Sequence, residues 1–367
     1  MQPRDLSEHV AYEAGGGIEE VARELGVDPT DLVKLASNEN PLGPSPAAIE
    51  AIRERASEVH AYPKAAASDL RAELAADRDV TPAQVWLGNG ADGVLDTLAR
   101  AALDPGDRAL VPRPGFAYYG MSVRYHHGEV RSYPLEKADG FEYGADRVLD
   151  AYDGERVVYL TTPHNPTGAE ISLDGVELIA DETDAATLVV VDEAYGEFTD
   201  APSATPLLDA RDDVAVVRTF SKVYGLAGMR LGYGLVPPEW ADAYAKVNTP
   251  FSAGELACRA GLAALDDDAH VEQTIHVTEW ARSYIRDAVD APTFPSGGNF
   301  VLVDVADAAP GEHDTPAGAV AADMQERGVI VRDCTSFGLP GCVRITCGTE
   351  NETRRAVEVL NEVLAAR

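Results

Sequence analysis

Short apolar runs alternate with helical patterns between about residues 36 and 245. The runs lack polar alternation, which is typical of parallel strands that helices cover on both faces. Strands that alternate with helices favour βαβ units. We therefore predict an α/β domain over residues 36–248, in which a mainly parallel sheet lies between layers of helices. The runs are residues 85–87, 109–111, 157–160, 188–191 and 214–217.

The pattern changes on both sides of this domain. Before it, three glycines precede a helical pattern at residues 18–25, and we interpret residues 1–35 as an arm with one helix. After it, long helical stretches precede two strand candidates, which predicts a smaller α+β domain over residues 249–367. The helical stretches are residues 255–265 and 271–289, and the strand candidates are residues 299–303 and 343–346.

The charge of the chain narrows the range of partners. Its 367 residues include 30 basic and 62 acidic side chains, which gives a net charge of −32. Such a surface repels phosphate backbones and anionic lipids, so we expect neither a nucleic acid nor a membrane as a partner. The N-terminus is charged and no run approaches about 18 apolar residues, so we expect a cytoplasmic protein.

Lysine is scarce in this chain. An acidic, lysine-poor composition favours adaptation to molar salt, where the Debye length is about 3 Å and dense like charge is tolerated. An ordinary acidic protein is the alternative. Five of the 30 basic residues are lysines: Lys34, Lys64, Lys137, Lys222 and Lys246.

The cysteines and histidines indicate no metal or redox motif. The four cysteines lack Cys-x-x-Cys spacing, which favours reduced core residues of a cytosolic protein. His164 has no second ligand at a suitable spacing and the pair at residues 126–127 is isolated, so we predict no metal site. The cysteines are Cys258, Cys334, Cys342 and Cys347.

Polar residues follow several of the predicted strands. In an open α/β sheet, ligands bind at the carboxyl ends of the strands, so we expect these residues to meet in one crevice. Lys222 follows the run at residues 214–217. A desolvated lysine has a lowered pKa and can form an imine, and Arg230 could return beside it across a glycine-bearing stretch. A surface lysine with an unrelated arginine is the alternative.

Candidate functional residues also follow two other predicted strands. Asp192 and Tyr195 follow the run at residues 188–191. A buried carboxylate needs a cationic partner such as a protonated pyridine nitrogen, although an aspartate can also cap the next turn. Asn165 lies among two prolines and a glycine, which would either hold its amide in place or simply form a tight turn.

A glycine turn and an aromatic residue complete the set. The turn at residues 88–92 opens a helix whose N–H groups suit a phosphate, although many strand–helix junctions look alike. Phe116 could lie against a planar ligand or belong to the core. Together and in this order, these features describe a site for pyridoxal phosphate.

The chain resembles the fold-type I aminotransferases and, among them, the histidinol-phosphate aminotransferase family. The string LASNENPLGPSP at residues 35–46 is similar to the N-terminal signature of that family. The resemblance implies the fold-type I architecture, with a large domain that binds pyridoxal phosphate and a small C-terminal domain. It continues in order along essentially the whole chain, at residues 62–63, 90–92, 164–168, 192–195, 218–222 and 343–346.

The resemblance also implies roles for the residues around the cofactor ring. Lys222 would be the Schiff-base lysine and would carry a proton between substrate and cofactor carbons. Asp192 would stabilise the pyridinium and Phe116 would stack on the ring. Tyr195 and Asn165 would bond the ring's 3-hydroxyl.

The cofactor's phosphate would lie at the other end of the site. The resemblance implies a homodimer with shared active sites, because Tyr62 would reach the phosphate of the cofactor bound by the partner subunit. The remaining cofactor-binding residues that it implies are Gly90, Ala91, Asp92, Thr219, Ser221 and Arg230.

Two arginines suggest an anionic substrate. Arg332 and Arg344 each end or interrupt an apolar run, and a buried guanidinium needs an anion. Interior ion pairs are one interpretation; the resemblance implies binding of the substrate's phosphate and of glutamate's carboxylates. It also implies Tyr12 and Asn40 as substrate-binding residues, although residues 14–17 depart from the Pro-Gly and basic residue that usually follow this tyrosine.

The implied activity is transamination between histidinol phosphate and 2-oxoglutarate, which gives imidazole acetol phosphate and glutamate in L-histidine biosynthesis. A threonine-phosphate decarboxylase-like enzyme and an aromatic or broad-specificity aminotransferase are alternatives. A cofactor-binding regulator would carry an added basic DNA-binding domain, and a Rossmann dehydrogenase would carry G-x-G-x-x-G after a strand. The sequence contains neither feature.

Overall fold

The computed structural model describes residues 6–7, 9, 17–63 and 65–367. In this part of the chain, two sheets pack with helices. The strands are β1 (Val33–Leu35), β2 (Val85–Asn89), β3 (Arg108–Arg113), β4 (Glu129–Pro134), β5 (Val157–Thr161), β6 (Leu188–Asp192), β7 (Val214–Thr219), β8 (Leu231–Leu235), β9 (Phe300–Asp304), β10 (Val329–Asp333) and β11 (Cys342–Thr346). The α-helices are α1 (Ile18–Leu25), α2 (Pro46–Arg55), α3 (Ala65–Asp77), α4 (Gly90–Ala102), α5 (Ala117–Tyr125), α6 (Ala145–Leu149), α7 (Leu173–Glu182), α8 (Ala241–Val247), α9 (Glu255–Leu265), α10 (Asp268–Ala288), α11 (Pro316–Glu326) and α12 (Glu350–Ala366).

The larger sheet has seven strands in the order β2-β8-β7-β6-β5-β3-β4. Strand β8 is antiparallel to both of its neighbours, and the other pairs are parallel. The mainly parallel α/β sheet that the sequence predicts is therefore confirmed. The register sets Thr161, Asp192 and Val217 side by side at the carboxyl ends of β5, β6 and β7.

Alternate residues of the central strands belong to cores on opposite faces of this sheet. Val189 and Val191 of β6 share one core with Ile179 of α7. Val190, between them, shares the other core with Leu98 of α4. Because both faces are covered, these strands show no polar alternation, and continuous apolar runs were enough to locate them.

The second sheet has four strands in the order β1-β10-β11-β9 and packs against α10, α11 and α12. Strand β1 is parallel to β10, whereas β11 is antiparallel to both β10 and β9. The strands predicted at residues 299–303 and 343–346 are β9 and β11, with one end or both shifted by a single residue.

Two segments cross the predicted division of the chain at residues 35 and 248. Strand β1 lies in the predicted N-terminal arm, yet it pairs with β10. Helix α9 follows residue 248, yet it packs on α2 and α3, and its Cys258 belongs to the core of the larger sheet. The three-part division stays a prediction, and these two segments connect its parts.

Three further features concern the whole described part of the chain. None of its helices combines the length and the apolar character needed to cross a membrane. None of its groups of His, Cys, Asp and Glu side chains could hold a metal ion with three or more ligands. All four cysteines are buried and none forms a disulfide.

We expect the stability of this fold to depend on salt. A net charge of −32 repels itself strongly near 0.01 M salt, where the Debye length is about 30 Å, and little near 1 M, where it is about 3 Å. The thermal unfolding midpoint should therefore rise steeply with potassium chloride. Sucrose is the control, because it favours the compact state without screening charge. An unfolding midpoint independent of potassium chloride would contradict the adaptation to molar salt.

Candidate active site

Asp192 is buried at the end of β6, where only 4% of the residue is exposed. Its carboxylate accepts hydrogen bonds from the Tyr119 hydroxyl (2.7 Å) and from the backbone N–H of Ala194 (3.0 Å). Burial raises the pKa of Asp192 to about 6, because these hydrogen bonds offset only part of the cost of removing the charge from water. A cation bound beside this carboxylate would stabilise its charged form.

Lys222 lies three residues after the end of β7, the strand that neighbours β6. Its Nζ lies 3.5 Å from the carbonyl oxygen of Ser37 and 5.6 Å from the centre of the Tyr195 ring. Burial, together with the nearby guanidinium of Arg344, lowers the pKa of Lys222 to about 8. The neutral amine is therefore populated near neutral pH, which a nucleophile or a proton carrier requires.

The ring of Tyr195 lies close to this lysine, and Asn165 contacts Arg344. Each of the two residues accepts a hydrogen bond. The Tyr195 hydroxyl accepts from Nδ2 of Asn38 at 2.9 Å. Oδ1 of Asn165 accepts from Nη1 of Arg344. Burial raises the pKa of Tyr195, so its hydroxyl keeps its proton near neutral pH. After these contacts, Tyr195 still has an O–H to donate, and Asn165 still has its NH₂ group.

The glycine turn at the start of α4 is packed closely against β8. Gly90 has a φ of +72°, and a Cβ there would lie 2.3 Å from Nη2 of Arg230. A Cβ on Gly232 of β8 would lie 2.4 Å from the backbone nitrogen of Ala91. The positive φ disfavours other residues at Gly90, and backbone atoms leave no room for a Cβ at Gly232, so these glycines allow β8 to lie against the helix start.

Arg230 forms an ion pair with Asp92 of the same turn, with 2.8 Å between Nη2 and Oδ2. A carboxylate cannot donate to a phosphate, so the side chain of Asp92 positions the guanidinium, while the first turn of α4 offers N–H groups. Nearby, the Thr219 hydroxyl donates to the Ser221 hydroxyl at 3.0 Å and accepts from its backbone N–H at 3.1 Å. These groups together could surround a phosphate.

Arg332 and Arg344 face each other across the β10–β11 ladder. Arg344 is 4% exposed and donates to the carbonyl oxygen of Ala36 at 2.8 Å. Arg332 donates to Ser336, and both guanidinium groups lie over the ring of Phe337, at 5.4 Å and 5.8 Å. Like charges opposite one another in a ladder repel, so an anion bound between them would be stabilising.

Asn40 contacts the segment that carries Lys222. Its Nδ2 donates to the carbonyl oxygen of Val223 (2.7 Å) and to the Thr274 hydroxyl (3.1 Å). Its Oδ1 accepts from the N–H of Leu42 at 2.8 Å. These bonds give Asn40 a positioning role, and the substrate contact stays a prediction. Tyr12, the other predicted substrate residue, lies outside the described residues.

The two predicted aromatic contacts differ in their surroundings. Phe116 is half-buried just before α5, with its ring edge-on to Tyr119 at 5.6 Å. Tyr62 is 74% exposed and stacks on Phe251, whose ring lies 4.6 Å away and which is itself 49% exposed. An exposed pair of aromatic rings is available for contact with another molecule.

Sequence reasoning did not identify Asn38, Tyr119 and Gly232. Asn38 lies inside the string at residues 35–46, but its contact with Tyr195 spans 157 positions. Tyr119 follows Phe116 by three residues, about one helical turn, and that spacing is the signal that would have found it. Gly232 has no local signal, because its role depends on how closely β8 approaches α4.

The fold and this group of side chains together define a class of protein. A half-buried lysine, a buried aspartate and a glycine turn at the carboxyl ends of a mainly parallel sheet are the parts of a fold-type I aminotransferase dependent on pyridoxal phosphate. Residues 30–360 match the model of the family described as Aminotransferase class I and II. The chain belongs to this family. Its relatives indicate which group of aminotransferases within the family it resembles.

Those relatives are named histidinol-phosphate aminotransferase. The protein of Natronomonas pharaonis is 68% identical over 364 residues, which cover 99% of this chain and 100% of the relative. That of Haloarcula marismortui is 66% identical and covers 99% of each chain. A crystal structure of histidinol-phosphate aminotransferase from Sinorhizobium meliloti in complex with pyridoxal-5'-phosphate aligns with a TM-score of 0.86 at 27% identity, over 100% of this chain and 98% of that one. The family resemblance seen in the sequence is thus confirmed.

Proposed function

We propose that this chain binds pyridoxal 5'-phosphate and transfers an amino group between histidinol phosphate and 2-oxoglutarate. The products are imidazole acetol phosphate and glutamate, and the reaction belongs to L-histidine biosynthesis. The observation that carries the proposal is Lys222, whose pKa burial and the nearby guanidinium of Arg344 lower to about 8, and which follows β7 at the sheet edge where β6 ends in the buried Asp192. Full-length relatives with this activity in their names support the choice of substrate.

The residues present fit the cofactor. Asp192 is a buried carboxylate whose raised pKa indicates that it needs a cation, and a protonated pyridine nitrogen is one. The O–H of Tyr195 and the NH₂ of Asn165 suit an anionic ring oxygen. Arg230 and the start of α4 suit a phosphate. When bound, pyridoxal phosphate supplies an electron sink that stabilises negative charge at the substrate's α-carbon.

The chain's own residues would perform the remaining steps. Nζ of Lys222 holds and moves a proton, because its pKa of about 8 makes both the charged and the neutral amine accessible at working pH. Its neutral fraction increases as the pH rises through this value. Asp192 keeps its negative charge when a cation faces it, which holds that cation in place.

Arg332 and Arg344 would bind the anionic end of either substrate. A guanidinium can form two parallel hydrogen bonds with a phosphate or with a carboxylate. The same cross-strand pair therefore suits histidinol phosphate in one half-reaction and glutamate in the other. A decarboxylase that acts on a single phosphorylated substrate would not need an anion site that also accepts the carboxylate of glutamate.

We propose further that the active enzyme is a cytoplasmic homodimer. The exposed Tyr62–Phe251 pair supports an interface at this surface. Four buried cysteines without a disulfide support a reducing compartment. The net charge of −32 supports small-molecule substrates rather than nucleic acid or a membrane surface.

A half-reaction screen of the purified holoenzyme tests the substrate. We expect histidinol phosphate and glutamate each to convert the cofactor to its aminated form in a single turnover, with histidinol phosphate the faster. Release of carbon dioxide from threonine phosphate, with no response to glutamate, would identify the decarboxylase. Equal rates with aromatic amino acids would identify the broad-specificity aminotransferase.

Arg344→Lys provides the matched variant for this screen. A lysine keeps the charge but loses the bidentate geometry, so both half-reactions should slow, by about 10- to 150-fold if roughly 1.5–3 kcal/mol is lost. Arg354→Lys is the control, because Arg354 is an exposed residue of α12 paired with Glu350.

A further inference from the structure

Asn38 is buried beside Tyr195, and its backbone N–H, its backbone carbonyl oxygen and both ends of its side-chain amide form hydrogen bonds. It is 1% exposed and has a φ of +53°, a backbone conformation that asparagine tolerates better than most residues. Its Nδ2 donates to the Tyr195 hydroxyl at 2.9 Å, and its backbone carbonyl oxygen accepts from Nδ2 of Asn299 at 3.1 Å. Neither the proposed mechanism nor the family motifs quoted above give this residue a task.

The orientation of the Asn38 amide is set by β11. The Thr346 hydroxyl accepts from the backbone N–H of Asn38 at 2.9 Å and donates to its Oδ1 at 3.1 Å. Because Oδ1 is held by Thr346, the NH₂ end of the amide is the end that faces Tyr195. Thr346 lies two residues after Arg344 on the same strand, so the strand that carries the anion site also holds Asn38.

The direction of the Asn38–Tyr195 hydrogen bond follows from this orientation. An amide NH₂ group can only donate, so the phenolic oxygen of Tyr195 accepts. The phenolic proton then remains for a different acceptor. An Asn38 side chain turned the other way would present an acceptor and would take that proton itself.

We propose that Asn38 is a positioning residue, held by Thr346, that keeps the Tyr195 hydroxyl as a hydrogen-bond donor toward the ring oxygen of the bound cofactor. The inference rests on the proposed function, because the acceptor belongs to pyridoxal phosphate. A donated hydrogen bond stabilises an anionic oxygen and lowers the pH at which the conjugated cofactor loses its proton. Removing the donor therefore raises that pH.

Asn38→Asp is the variant that reverses the hydrogen bond. A carboxylate has nearly the same shape, still accepts from Thr346, and tolerates a positive φ. It cannot donate to Tyr195, so it accepts the phenolic proton instead. The added negative charge would also raise the titration midpoint, so this variant must be compared in two backgrounds.

The experiment is a pH titration of the visible absorption of the holoenzyme. We expect Asn38→Asp and Tyr195→Phe each to raise the midpoint by about one pH unit or more, the scale of one lost hydrogen bond to a charged group. In the Tyr195→Phe background, Asn38→Asp should shift the midpoint by less than half as much, since no phenolic proton is left to orient.

Thr346 supplies a second test that adds no charge. Thr346→Val removes the hydroxyl that fixes the amide, so the midpoint should rise, whereas Thr346→Ser retains the hydroxyl and should titrate like the native protein. Thermal unfolding of each apoprotein measures folding separately. If Asn38→Asp does not fold, the two Thr346 variants decide the question.

The outcomes separate this inference from the proposed function. A native protein without a cofactor absorption band would overturn the proposed function. A native band that Tyr195→Phe shifts, but that neither Asn38→Asp nor Thr346→Val shifts, would overturn only the role of Asn38. Equal shifts by Asn38→Asp with and without the Tyr195 hydroxyl would reduce that role to the effect of charge.

Discussion

Replacing Lys222 by alanine should abolish covalent retention of the cofactor and lower transamination by about 10²- to 10⁴-fold, the usual contribution of a positioned proton carrier. Asp192 and the phosphate-binding residues would remain, so the variant should still bind pyridoxal phosphate reversibly. The pKa of Lys222, lowered to about 8, gives a second expectation. Capture of the cofactor by the native apoprotein should accelerate as the pH rises from 7 toward 9, because the neutral amine is the nucleophile.

Borohydride reduction of the holoenzyme followed by peptide mapping identifies the attached lysine. The label should lie on Lys222 and not on Lys34, Lys64 or Lys246. Lys137→Ala is the matched control, because Lys137 is a partly exposed lysine paired with Asp304 at 2.6 Å. It should keep native activity and native labelling. A label on any other lysine would overturn the site.

The larger sheet could be predicted because its information is local. Each central strand is a continuous apolar run, since alternate residues such as Val190 and Val191 enter different cores. The pairing of β1 with β10 could not be predicted in this way. Strand β1 has three residues, and its partner Val329 lies almost 300 positions after Val33. Nothing in a short local window indicates such a contact.

The candidate site also combines residues that have a local sequence signal with residues that depend on contacts between distant segments. Lys222 and Asp192 could be predicted because Asp192 ends one buried strand and Lys222 follows another, and parallel strands bring such residues to one edge. Their hydrogen-bond partners could not. Tyr119, which is 1% exposed, has the pattern of a core aromatic, and only its hydroxyl, 2.7 Å from Asp192, gives it a place in the site. Asn38 reaches Tyr195 from a segment 157 positions away.

The arginines show which features of the site residue type alone can predict and which it cannot. Arg230 and Asp92 were both predicted beside the cofactor's phosphate, and they do lie together. In this ion pair, however, the carboxylate of Asp92 positions the guanidinium of Arg230, and only the guanidinium is suited to bind a phosphate. Arg332 and Arg344 were predicted from separate apolar runs, and the ladder register shows that they are direct neighbours. Pairing across strands, rather than composition, makes them a candidate anion site.

Composition predicted adaptation to molar salt, and the relatives agree with it. The relatives from Natronomonas pharaonis and Haloarcula marismortui named above come from haloarchaea. The scarcity of lysine also makes the active site easier to find. When only five lysines remain in 367 residues, a lysine kept at the end of a buried strand has few structural explanations.

The proposed sharing of active sites between two subunits leads to the second large effect. Tyr62 is 74% exposed on its own subunit, and its ring stacks on Phe251. If this ring serves the cofactor phosphate of the partner subunit, each active site needs Lys222 from one chain and Tyr62 from the other. Tyr62→Ala should then impair every site of its homodimer, and Lys222→Ala should inactivate every site of its own.

Mixing these two impaired homodimers should restore activity. After subunit exchange at equal concentrations, about half of the dimers are mixed, and each mixed dimer has one site with both defects and one intact site. About a quarter of all sites, and so about a quarter of native activity, should therefore return. Val59→Ala with Lys222→Ala is the control mixture, because Val59 is also exposed near Tyr62 but has no predicted role, and the expected activity is half of native from its unaltered sites. Exchange must be verified with tagged chains in molar salt, where the fold should be most stable. Verified mixed dimers without the gain would mean that one chain builds each site alone.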